Sequence, residues 1–265
     1  MPYANITDLY EKSKRKYTAM KRDYHMHPNI LKVPGQAEKF AKRAADLGFE
    51  EICFTDHMPF SLTPDESDRI EPGMVSQYCE KVRETAQSFK NIITIKTGIE
   101  IDFHPDYTEE VKSVLADGSF DYVLGSSHLN IAGYGIDMEH TSKSSYAAMV
   151  IENYIKAAES GLFDTITHID VYRWVFSAYP LSEDGFTFER IRNELERLFS
   201  VLERTGVQLE INAAPLYKRF DSLGPYPEYK ILEMAKDYKI NYIYGSDAHM
   251  AEHVGFGYDL LKKFL

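Results

Sequence analysis

The sequence is poor in the residues and runs that mark several protein classes. Two cysteines in 265 residues are too few for a disulfide framework or a thiolate zinc site. Cys53 lies inside the apolar run Ile52-Cys53-Phe54, so Cys53 and Cys79 are expected as reduced thiols. No window approaches the roughly 18 to 20 apolar residues of a spanning helix. The string MPYANITDLYEKSKRKYTAMKRDYH has basic residues but no apolar stretch of signal-peptide length, so the expectation is a cytoplasmic protein with no membrane partner. Positive charge is scarce: Lys plus Arg number 30 against 41 Asp plus Glu, a formal charge of −11. That field repels nucleic acid and anionic lipid, so no nucleic-acid partner is expected and any anionic substrate must meet a local positive centre. Repeats, low-complexity segments and an obvious linker are absent too, and no signal fixes an oligomeric state.

What remains is a composition of 44% hydrophobic and 27% charged residues, that of an ordinary globular protein. A chain this long buries about three-quarters of its unfolded surface, and the economical reading is one barrel-sized domain over 1–265. Short β-branched or aromatic runs alternate with longer amphipathic stretches, the mark of parallel βα units. The runs at 22–27, 51–56, 92–101, 122–127, 165–169, 207–212 and 241–245 give seven strands. Helices are expected near 36–47, 76–89, 108–116, 145–159, 187–204 and 228–237, the first ending at a Gly suited to a C-cap. Longer loops at 58–75, 130–144 and 213–227 all follow strands, which in a barrel is the face where binding loops gather.

The informative polar residues fall where strands hand over to loops: His25-Met26-His27, Thr55-Asp56-His57, Glu100, Ser127-His128, His168-Ile169-Asp170 and Asp247-Ala248-His249. In a closed parallel barrel these ends open onto one face and their imidazoles and carboxylates converge. Such a set is costly to bury unpaired and is satisfied around divalent ions. Within HMH the i, i+2 histidines point to one side while Met26 packs into the wall. An imidazole and carboxylate donor set suits Zn, Mn, Fe or Co.

The ordered motifs HMH, TDH, GIE, GSSH, HID and GSDAH resemble those of the PHP (polymerase and histidinol phosphatase) family, from about residue 23 to the C-terminus. The strings DYHMHPN, GFEEICFTDHMPF, TGIEIDF and EINAAPLYKR, with Pro225-Tyr226-Pro227, are similar to its monofunctional histidinol-phosphate phosphatase branch. The resemblance implies a distorted (βα)7 TIM-like barrel with two or three divalent ions at the C-terminal ends of its strands. It assigns His25, His27, bridging Glu100 and Asp247 to a first ion. Glu100, His128 and His168 go to a second, and His57 and His249 to a third. Gln36 stands in VPGQAE where the third site would have a further His, which leaves that site one imidazole short.

The implied activity is hydrolysis of L-histidinol phosphate to L-histidinol and phosphate in histidine biosynthesis, with a hydroxide held between two ions as nucleophile. Glu100 and Asp247 would carry the catalysis through the ions; Asp56 or a metal-bound water would protonate the leaving alcohol. Arg173, Lys218 and Arg219 are candidate phosphate clamps, with solvated surface charges as the plain alternative. Asp65, Glu66, Asp68 and Glu71 could meet the substrate ammonium, or be only an acidic loop. His104, His140 and His253 read as surface histidines, and Tyr24, Tyr242 and Tyr244 as strand packing. Competing readings are a PHP phosphoesterase on another small phosphate ester or nucleotide, and an amidohydrolase-like barrel. The latter usually carries a carbamylated Lys on strand four, and YVLGSSHL has none. A non-catalytic barrel would be expected to have lost ligands of the first two sites, and all six are present.

Overall fold

The strand registers show how the chain closes on itself. The structure, a computed structural model, describes residues 20–58, 69–71, 73–128, 135–219 and 223–265. Its strands are β1 (Arg22–Asp23), β2 (Glu51–Phe54), β3 (His57–Met58), β4 (Thr94–Asp102), β5 (Tyr122–Ser126), β6 (Thr165–Ile166), β7 (Gln208–Asn212) and β8 (Tyr242–Gly245). Every ladder between them is parallel. β2 and β3 both pair β4 at one offset, Phe54↔Thr97 and His57↔Glu100, so they are two pieces of one strand. The eight segments therefore form seven staves. Tyr24 N donates to Tyr244 O at 3.1 Å, Asp247 N to His25 O at 2.8 Å and His27 N to Ala248 O at 2.7 Å, joining the first stave to the last. The α/β barrel expected from the alternating pattern is present, with seven staves.

Helices return the chain between staves: α1 (Gln36–Asp46), α2 (Val75–Phe89), α3 (Thr108–Asp117), α4 (Lys143–Glu159), α5 (Tyr172–Ala178), α6 (Arg192–Thr205), α7 (Ala214–Lys218), α8 (Tyr229–Ala235) and α9 (Tyr258–Leu261). Their apolar stripes pack on the outer face of the sheet. Phe40, Ala41 and Ala44 of α1 and Leu195, Leu198, Phe199 and Leu202 of α6 are buried in one cluster with Ile52, Ile99 and Leu209. A smaller cluster of Tyr24, Cys53, Tyr122 and Leu124 packs apart from this one. Cys53 and Cys79 are free and buried. No described helix is long and apolar enough to cross a membrane.

Three expectations change. Regular pairing of the first strand ends at Asp23 and of the fifth at Ile166, short of 27 and 169; beyond these points only single bonds, such as Thr55 N to Met26 O and Thr167 N to Gly125 O, continue it. The 213–227 loop contains α7, opened by Pro215. α5 and α9, with 7 and 4 residues, are too short to show a 3.6-residue period.

Candidate metal centre

At the C-terminal ends of the staves each polar side chain is turned inward by the strand that carries it. His25 and His27 are buried and so is Met26 between them; their rings lie 4.9 Å apart. Glu100 on β4 is the hub. Its Oε2 is 3.4 Å from His25 Nε2, 3.5 Å from His27 Nε2 and 2.7 Å from His57 Nδ1, and its Oε1 is 3.0 Å from His168 Nε2. Asp247 Oδ1 lies 3.4 Å from His27 Nε2 and 3.9 Å from His25 Nε2.

Among the described residues, four overlapping sets bring three potential ligand atoms within 4.8 Å of one another: His25, His27, Glu100; His25, His168, Asp247; Glu100, His128, His168; and His27, His57, His249. The last departs from expectation. His27 completes the set around His57 and His249, while Gln36 donates from Nε2 to the carbonyl of His249 at 3.3 Å. The donor set fits divalent ions for a reason visible in the structure. His25 Nε2, both ring nitrogens of His27 and Glu100 Oε2 are buried without a well-aligned hydrogen bond, and burying such atoms unsatisfied is costly unless an ion meets them.

The electrostatics fit as well. Burial opposes charge on Glu100, yet the neighbouring His57 and His25 outweigh it and hold the carboxyl well below its ordinary value. Burial of Asp247 is likewise outweighed, by Lys218 and His25. Burial, with His57 and His249 beside it, pushes His27 well down, so its ring stays neutral. His25 goes the other way, because Glu210, Glu100 and Asp247 together outweigh its burial.

A ring of partners that the sequence did not single out surrounds these residues. His25 Nδ1 is 2.6 Å from Glu210 Oε1, and His128 Nδ1 is 2.8 Å from Asp102 Oδ1. His249 Nδ1 is 3.0 Å from the carbonyl of Asp247, and His168 Nδ1 is 3.2 Å from Tyr154 Oη. Engaging the second ring nitrogen of a ligand imidazole fixes its orientation. The signal available was Glu210 and Asn212 alternating with Leu209 and Ile211 on a strand.

Asp56 accepts from Asn29 N at 2.8 Å and from Ile30 N at 3.0 Å, one on each carboxylate oxygen. Both oxygens thus anchor the loop after His27. Arg173 is buried, its Nη1 3.1 Å from Asp170 Oδ2, Nη2 donating to Gly224 O at 3.2 Å, and its guanidinium 4.7 Å from the Tyr226 ring. Lys218 and Arg219 are exposed at the end of α7, and Lys218 is close enough to depress Asp247. Asp65, Glu66 and Asp68 lie outside the described residues, and Glu71 is exposed. His104 accepts from Asp106 N, His140 sits beside Asp137 and His253 stacks on Tyr217. Tyr24 and Tyr244 are buried as expected, and Tyr242 is half-buried.

Comparison with known proteins gives three findings. Residues 23–214 match the PHP domain family. The probable histidinol-phosphatase of Deinococcus radiodurans is 28% identical over 250 residues, 91% of each chain, and the histidinol-phosphatase of Bacillus subtilis is 26% identical over 267 residues, 90% of this chain and 97% of that one. The crystal structure of histidinol phosphate phosphatase from Lactococcus lactis, complexed with zinc, L-histidinol and phosphate, superposes with a TM-score of 0.71 at 22% identity, covering 92% of this chain and 94% of that one.

Proposed function

We propose that this chain, which belongs to the PHP domain family, is a metal-dependent phosphomonoesterase that hydrolyses L-histidinol phosphate to L-histidinol and phosphate, a step of histidine biosynthesis. The observation that carries the reading is Glu100, buried with four imidazoles from three other staves around its two oxygens. The relatives similar to this chain over 91% and 97% of their own length are a probable histidinol-phosphatase and a histidinol-phosphatase.

In this reading His25, His27, Glu100 and Asp247 hold one ion, Glu100, His128 and His168 a second, and His57 and His249, with His27 beside them, a third. The ions are Zn, Mn, Fe or Co and supply Lewis acidity, which offsets phosphate charge and makes water nucleophilic at neutral pH. The chain's own residues do the rest. Glu100 keeps its charge despite burial and holds the ions' ligands on a common centre. Lys218 and Arg219 stand at the end of α7 as cations for the phosphate oxygens in a chain of charge −11, with Arg173 held farther in by Asp170. Asp56 keeps the loop after His27 closed against the second stave. Two buried free thiols suit a cytoplasmic setting.

The test is phosphate release by the metal-loaded protein from histidinol phosphate, a nucleotide and a generic aryl phosphate. The reading expects kcat/KM for histidinol phosphate to lead by at least about tenfold, or 1.4 kcal/mol of differential transition-state binding. Equal rates on all three would remove the substrate assignment and leave a PHP phosphoesterase of another specificity.

A further inference from the structure

Glu210 belongs to none of the four ligand sets, yet it bonds to ligand residues of two other staves and reaches those of a third through Asn212. It is fully buried on β7. Its Oε1 is 2.6 Å from His25 Nδ1, and its Oε2 accepts from the backbone N of His168 at 3.0 Å and from Asn212 Nδ2 at 3.1 Å. Asn212 Nδ2 also donates to Asp247 Oδ2 at 3.3 Å, and its Oδ1 accepts from Ala214 N at 2.8 Å, which fixes which end of the amide faces the carboxylates. The neighbouring stave makes room for this arrangement. A Cβ at Gly245 would fall 1.9 Å from Glu210 Oε1 and 2.7 Å from His25 Cβ, so only glycine leaves the carboxylate where it is.

We propose that Glu210 is the positioning residue of the metal centre: through His25, the His168 backbone and Asn212 it sets the geometry of ligands contributed by the first, fifth and last staves. The proposal rests on the metal reading of the site and not on the identity of the substrate. A carboxylate only accepts hydrogen bonds. Oε1 therefore requires a proton on His25 Nδ1, so that when the ring gives up its other proton to an ion the lone pair lies on Nε2, the atom directed at Glu100 and Asp247. Gln at 210 has one acceptor instead of two. With its oxygen toward His25, its amide NH2 confronts the donors of His168 and Asn212. Turned the other way, it donates to Nδ1 and moves the ring proton to Nε2, where an ion would bind.

The experiment uses the full chain, with zinc alone as the probe and no substrate, so a wrong substrate assignment cannot affect the outcome. Metal-free wild type, Glu210→Gln and Glu210→Asp are titrated with zinc against a chromophoric chelator, and the His25 ring nitrogens are followed by 15N NMR in the zinc-loaded state. Glu210→Gln is expected to bind zinc about 10- to 100-fold more weakly, the range for loss of such a partner, and to lose the Nδ1–H signature of His25. Glu210→Asp keeps the charge with a shorter reach, and is expected to retain that signature with intermediate affinity. Zinc affinity within about threefold of wild type in folded Glu210→Gln, far less than the loss expected for such a partner, overturns the proposal. So does a variant whose only change is a lower melting temperature of the metal-free protein. If Glu210→Gln does not fold, unchanged zinc affinity in Glu210→Asp overturns it equally.

Discussion

His57 Nδ1 lies 2.7 Å from Glu100 Oε2, the two residues standing directly opposite each other where β3 pairs with β4. The contact ties one outer ligand set to the carboxylate that also serves the other, so the charge of Glu100 is shared by the whole centre. Glu100→Gln keeps the volume and removes that charge. It is expected to lower kcat by at least about 10²-fold with the fold intact, as loss of a major electrostatic stabiliser does. Asp247→Asn should act alike and is a clean companion, because Asp247 has φ of 53°, a conformation Asn accepts readily. Circular dichroism with steady-state kinetics checks both, and near-wild-type turnover in either sinks the assignment.

Gln36 reaches the backbone of His249 and adds no imidazole to the set of His27, His57 and His249. An ion there has to share His27 with its neighbour and should be the first lost. Dialysis against a mild chelator, followed by elemental analysis, should leave about two ions per chain, and Gln36→His should raise retention by supplying the missing ligand. Three firmly held ions in the wild type would show that the set is already complete.

Loading the centre should release protons. Carboxylates hold His25 above its ordinary value against burial, and Asp102 does the same for His128. Both rings therefore keep a proton to higher pH than a free imidazole does, and an ion must displace it. His27, pushed down by burial and its histidine neighbours, contributes none. Apparent zinc affinity should then rise with pH through the neutral range, and the binding enthalpy should vary with the ionisation enthalpy of the buffer. A buffer-independent enthalpy would show that the rings are already neutral.

Much of this was legible in the sequence, and the parts that were not have physical causes. HMH and GSDAH are local, since strand alternation alone puts both imidazoles of the first motif on one side, and the βα period gave all seven staves. The partners of those imidazoles were hidden, because an acidic residue on a strand looks the same whether it faces water or a histidine. The Glu210–His25 contact spans 185 residues of sequence. TDH places Asp56 beside a ligand, but no motif announces that its carboxylate turns back to meet the backbone of Asn29 and Ile30. The sharing of His27 between two sets is likewise a property of the closed barrel and of no single motif.

Lys218 and Arg219 are both exposed at the end of α7; Lys218 is near enough to lower Asp247, Arg219 sits in a left-handed turn with φ of 54°, and Arg173 is engaged by Asp170, so we propose Lys218 as the first clamp to test. Lys218→Ala should lower kcat/KM by about 10²-fold, the scale for loss of one charge-stabilising donor, and Arg219→Ala by less. The opposite order in the same assay would give the phosphate to the planar guanidinium.

In the proposed function, hydrolysis of histidinol phosphate depends on ions gathered around Glu100. The most direct measurement is phosphate release from histidinol phosphate by one preparation as isolated, after exhaustive chelation, and after stepwise return of zinc or manganese, with Glu100→Gln carried through the same steps. Chelation should abolish turnover, returning ions should restore it in the wild type, and Glu100→Gln should recover at most about one hundredth of it. Full turnover by the chelated wild type, or by metal-loaded Glu100→Gln, would contradict that dependence.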